Sequence, residues 1–179
     1  MSRKECISVL SSKMKVAIRS EKSVKFSGKH VSFYIKYASV VFKALRKPLF
    51  QKFLRWMLKR ENIGDDMISN VQVRVFPFQK RNGNSLAGKC NAKKGEIRIY
   101  PKKLEFCRKV KQKFGKEKVR PYIKNRAKAA LIHELLHLKY LNDEKKVREL
   151  TRKYFIIFSR HQENKDSNAN IFLRMLFKQ

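Results

Sequence analysis

Acidic residues are scarce in this chain: 179 residues hold 14 Asp and Glu against 45 Lys and Arg, a formal net charge of +31. Cysteine is scarcer still. Cys6, Cys90 and Cys107 are odd in number, widely spaced and without a C-x-x-C pair, which excludes a disulfide framework or a zinc knuckle and points to reduced thiols. No apolar run approaches the roughly 18 residues that a membrane-crossing helix needs. The opening "MSRKECISVLSSKMKV" has only a short apolar patch and no clear cleavage site, so it does not read as a secretory leader. A soluble intracellular protein, placed in the cytoplasm, is the expectation. The four prolines act as local punctuation, and no internal repeat or low-complexity tract is visible, which excludes solenoid and linker architectures.

What is present is enough to build a core. Hydrophobic residues make up 42% of the chain, with thirteen Phe and six Tyr, so this is not a disordered polycation. The positive charge is concentrated: residues 1–60 carry sixteen Lys and Arg against Glu5 and Glu21, and residues 101–128 carry twelve against Glu105 and Glu117. Such a surface attracts polyanions through counterion release and long-range steering. Nucleic acid, DNA or RNA, is therefore the expected partner beside a polypeptide substrate. A lysine-rich composition spread over solvated faces is the plain alternative.

Periodicity divides the chain near residue 65. The segment 31–47 reads as an apolar helix with scattered lysines, and 48–62 as a basic amphipathic helix opened by Pro48 and closed at Gly64. Packing on a core is the ordinary role for such a helix; a membrane surface or a partner is the sharper one. Residues 1–65 are thus expected to form a basic, mainly helical extension. Beyond them "VQVRVFPF" (71–78) alternates as a half-buried strand. "LAGKC" and "EIRIYP" read as two short strands joined by the tight turn "NAKKG". Helices are predicted over 102–115, closed by Gly115, over 120–141 with Pro121 in its first turn, and over 144–158. The tail "NANIFLRMLFKQ" suits a final amphipathic helix. The expected fold for 66–179 is α+β, with a small, mostly antiparallel sheet.

Two of the four histidines fall in "AALIHELLHLKYLNDEK" (129–145). At about 100° per residue, Ala127, Leu131, Leu135 and Leu138 form one stripe and Ile132 and Leu136 a second flank. His133 and His137 share the opposite side, with Glu134 between them and the core. The spacing has a mechanical reason, because side chains at i and i+4 project together and can bring two imidazole nitrogens about 2.0–2.1 Å from one zinc ion. The adjacent Glu134 then reaches a water on that ion and can act as general base and acid. Three acids could complete the shell. Asp143 ranks first, Glu144 second and Glu149 third, with His161 more distant. The competing role for Asp143 is to cap the next helix, and two core histidines without metal are the competing reading of the pair.

"GKCNAKKGEIRIYPKKL", followed about thirty residues later by "LIHELLHLKYLND", resembles SprT-like and YgjP-like metallopeptidase domains. It is also similar to the archaeal minigluzincins. The likeness covers residues 70–158 and implies a minimal zincin-like domain binding Zn2+, with His133 and His137 as ligands and Glu134 as the catalytic residue. It also implies that "EIRIYP" serves as the edge strand that pairs with an extended polypeptide. At Asp143 the chain departs from the YgjP-like pattern, which has a third histidine there; a gluzincin-like arrangement would use Glu144 or Glu149. The SprT-like branch includes proteases acting on proteins crosslinked to DNA. A zinc metalloprotease working near nucleic acid is thus the first functional expectation, and a non-catalytic nucleic-acid-binding protein with the same fold is the alternative.

Overall fold

The computed structural model describes residues 30–76 and 87–160, together with the backbone of two strands, β1 (Ser8–Val9) and β2 (Lys15–Ile18). The suggested tail helix and His161 lie outside the described residues. The architecture is α+β, with six helices and a small mixed sheet among the described residues.

Helix α1 (Val31–Leu45) buries Tyr37, Ala38, Val41, Phe42, Ala44 and Leu45 along one side. Helix α2 (Pro48–Arg60) starts on Pro48 at its first position, where the missing N–H has no partner to lose. It buries Phe50, Phe53, Leu54, Met57 and Leu58, while its four cations point outward. The short α3 (Asp65–Ile68) leads into β3 (Gln72–Val75). Strand β4 (Gly88–Asn91), one turn of 3-10 helix (Ala92–Lys94) and β5 (Glu96–Ile99) form a hairpin. Gly95 closes it at φ +56°, where a Cβ would fall 2.6 Å from the Asn70 carbonyl oxygen. Only glycine fits that turn without strain.

Two expectations about the sheet need correction. Instead of being mostly antiparallel it is mixed, in the order β1-β2-β3-β5-β4: β2–β3 and β3–β5 are parallel, while β1–β2 and β4–β5 are antiparallel. The cause is the hairpin, which folds β5 back into the space between β3 and β4. The second correction follows from the first. β5 is internal, paired on both sides, and among the described residues the edge strands are β1 and β4.

The alternation in β3 and β5 sets the two faces. Val73, Val75, Ile97 and Ile99 are buried against the helices. On the other face Arg74 and Arg98 stand directly opposite each other, a repulsive pairing. Glu96 lies between them, 3.1 Å from Arg74 and 2.5 Å from Arg98, and turns the repulsion into a shared ion pair.

Helices α4 (Leu104–Phe114) and α5 (Lys116–Tyr140) meet at Gly115, φ +92°. α5 starts one turn earlier than expected, so Pro121 lies inside it rather than at its start. The ring removes the N–H that would otherwise bond the Glu117 carbonyl, near the start of the helix. Helix α6 (Glu144–Arg160) completes the chain that is described. α5 is the centre of the molecule, packing on α6, α1, α4, β4 and β5. Leu131, Ile132, Leu135 and Leu136 are fully buried, each stabilising the fold by about 1.5–3 kcal/mol relative to exposure. Arg126 joins this helix to its neighbours, donating to the Tyr100 carbonyl at 2.7 Å and to the Tyr37 hydroxyl at 3.4 Å. Residue 65 falls between α2 and β3, and side chains on both sides of it share one hydrophobic core.

Candidate metal centre

α5 is buried on almost every side over residues 127–138, which leaves one seam for polar groups. His133 and His137 occupy it one turn apart, with ring centroids 4.7 Å apart and planes at 79°. Their Nε2 atoms are 3.1 Å from each other. Each ring is held there through its other nitrogen. His137 Nδ1 donates to the Leu141 carbonyl at 2.5 Å. His133 Nδ1 donates to the Thr151 hydroxyl at 3.3 Å, and that hydroxyl donates onward to the Val147 carbonyl at 2.7 Å. With each Nδ1 engaged in this way, the two Nε2 atoms face the same point, where a cation could take a lone pair from each.

The third member comes from the turn after α5. Leu141 adopts φ +47° and ψ −109°, a conformation unusual for a side chain with a Cβ, and it reverses the chain within three residues. Asp143 then takes the capping role: its Oδ1 accepts the Lys146 N–H at 3.0 Å, and its carbonyl accepts the Val147 N–H at 3.0 Å. It does not reach the histidines. The next residue does. Glu144 places Oε1 3.6 Å from His133 Nε2 and Oε2 3.3 Å from His137 Nε2. The ligand atoms of His133, His137 and Glu144 all lie within 4.8 Å of one another, the one such cluster among the described residues. The exposed Glu149 is not part of it.

The charges suit a cation. Burial pushes His133 well below the usual imidazole range, with Glu144 opposing, so the ring is a neutral donor at pH 7. Burial would raise Glu144, but the hydrogen bond from the Arg148 guanidinium at 2.7 Å and its positive charge act against it, and the carboxylate is held below its usual range. Two imidazole nitrogens and one carboxylate oxygen form a borderline donor set of the kind zinc takes.

Glu134 is not part of this cluster and lies against β4. It is 6% exposed, and the Cys90 N–H donates to its carboxylate. Burial, supported by the negative Glu144 and opposed by that N–H, pushes it up to about 7. Gly88 makes the approach possible, since a Cβ there would fall 2.7 Å from both Cγ and Oε1 of Glu134. A carboxyl group that exchanges its proton near neutrality therefore sits on the helix of two potential ligands and against β4, an edge strand among the described residues.

Three participants escaped the reading of the sequence. Thr151 had a visible signal, as the one aliphatic hydroxyl on the buried stripe Val147, Thr151, Tyr154, Phe155 and Phe158 of α6. Gly88 and the Leu141 carbonyl had none, because their roles depend on distances across the fold. No protein-family model, curated protein or solved structure matches the chain.

Proposed function

We propose that the chain is a zinc-dependent metallopeptidase, in which His133, His137 and Glu144 hold the metal and Glu134 moves the proton. The observation that carries this reading is the convergence of two tautomer-fixed Nε2 atoms and the Glu144 carboxylate, with a protonatable Glu134 alongside. Zinc bound there would supply a Lewis acid that lowers the pKa of water toward about 7 and polarises a carbonyl.

The chain's own residues do the rest. Glu134, as carboxylate, accepts a proton from the attacking water and, as acid, returns it to the departing amine; a pKa close to 7 suits both directions. Among the described residues, 88–91 of β4 form an edge of the sheet next to Glu134, where an extended polypeptide can add as a further strand. Asp143 supports the site indirectly, by fixing the start of the helix that carries Glu144.

The test is metal content and cleavage of an unfolded protein, measured on wild type, Glu134→Gln and His133→Ala. Glu134→Gln should keep its zinc and lose about 10²–10⁴-fold in rate, while His133→Ala should lose both. The second reading, a non-catalytic nucleic-acid-binding protein, is favoured by the net charge of +31. Salt-dependent DNA binding without metal-dependent cleavage would select it.

A further inference from the structure

We propose that the outer face of α2 is a docking surface for an anionic lipid bilayer. Two of the few large apolar side chains left exposed lie on this face, Leu49 at 52% and Trp56 at 41%. They are seven residues apart, two helical turns, and so share one stripe with about 10 Å between them. Neither is needed to anchor the helix, because Phe50, Phe53, Leu54, Met57 and Leu58 already bury its inner side. Lys52, Arg55, Lys59 and Arg60 surround the pair, all exposed, and α2 contains no acid. The nearest following acid, Glu61, is buried and accepts hydrogen bonds from Tyr140 and Tyr154.

The pattern separates lipid from nucleic acid. A phosphate backbone is served by the cations alone and has no use for an exposed leucine. The Trp56 ring is also already engaged, with the Arg60 guanidinium 5.5 Å over it and Phe53 and Tyr154 at 5.5 and 5.9 Å, which leaves little face for a base to stack on. A bilayer interface takes both apolar groups, the indole at headgroup level and the aliphatic chain below it, while each nearby cation raises partitioning to anionic lipid by roughly fivefold. No helix among the described residues is long and apolar enough to cross a membrane, so this contact is interfacial. It stands independently of the metallopeptidase reading.

Trp56 is the only tryptophan in the chain, so its emission reports this face directly. The full chain is titrated with vesicles of phosphatidylcholine, with or without phosphatidylglycerol, and separately with DNA and RNA oligonucleotides. The expected result has three parts: acrylamide quenches Trp56 in the free protein, phosphatidylglycerol vesicles shift its emission to the blue and shield it, and phosphatidylcholine alone does neither. Leu49→Ser, at an exposed position, should weaken partitioning severalfold with the fold intact, and Lys52→Glu with Arg55→Glu should abolish it. The proposal is overturned if Trp56 is shielded in the free protein, if vesicles bind without changing its emission, or if oligonucleotides change it as strongly as vesicles do.

Discussion

His133 and His137 owe their alignment to groups that are not ligands. The Thr151 hydroxyl and the Leu141 carbonyl each take one Nδ1 proton, and so decide which nitrogen faces the site. Replacing Thr151 by Val keeps the shape and removes the acceptor. Zinc affinity, read by competition with a chelator, should fall by about tenfold or more, and Thr151→Ser should restore most of it. The pair of histidines and the neighbouring glutamate were legible from the spacing alone, because the 100° step of a helix determines which side chains meet. The third member of the cluster was not. Asp143 and Glu144 are adjacent, and what distinguishes them is the unusual backbone of Leu141, which turns Asp143 onto the first turn of α6 and Glu144 toward the imidazoles. A single backbone conformation of that kind leaves no periodic trace.

Elements came through the sequence better than their pairing. The boundaries of α2, α4, α6, β4 and β5 follow from Pro48, Gly115, the break at 142–143 and the "NAKKG" turn, each of which acts within a few residues. Strand order depends on the path of the whole chain, so the placement of β5 inside the sheet and of β4 at its edge could not be read from alternation. The consequence is functional, since β4 is the strand that Glu134 touches. Gly88→Ala would force β4 and α5 apart or turn the carboxylate aside. Cleavage should then drop by roughly 10²-fold, the scale expected for a misplacement near 1 Å, while zinc content stays unchanged because Glu134 is not a ligand. Loss of metal in this variant would place Glu134 in the coordination shell instead.

At the scale of the whole molecule, one core joins helices on both sides of residue 65, and within it lies a cation. Lys128 is 4% exposed, its ammonium group 4.6 Å above the Phe158 ring and 5.7 Å from that of Phe50. Burial, with Lys47 and Lys124 adding to it, pushes Lys128 down to about 8 from 10.5. Between those values the unfolded chain binds the proton that the folded chain has released, so this residue's contribution to stability rises with pH across that window. Below it the buried charge costs roughly 1–3 kcal/mol after the ring faces offset part of the burial. Lys128→Met should therefore be more stable than wild type at pH 7 in urea unfolding, and the gap should narrow as the pH is raised from 7 to about 9.5. Comparison with the variant is needed because Cys90, Cys107 and Tyr140, all pushed upward in the fold, act in the opposite direction at alkaline pH.

The central claim is that His133, His137 and Glu144 form one metal site. Elemental analysis and zinc titration of freshly purified wild type, Asp143→Ala and Glu144→Ala test it most directly. The expected result is stoichiometric zinc in wild type, zinc retained in Asp143→Ala and zinc affinity sharply reduced in Glu144→Ala. Wild type that takes up no zinc, or zinc that survives the loss of Glu144 but not of Asp143, would contradict it.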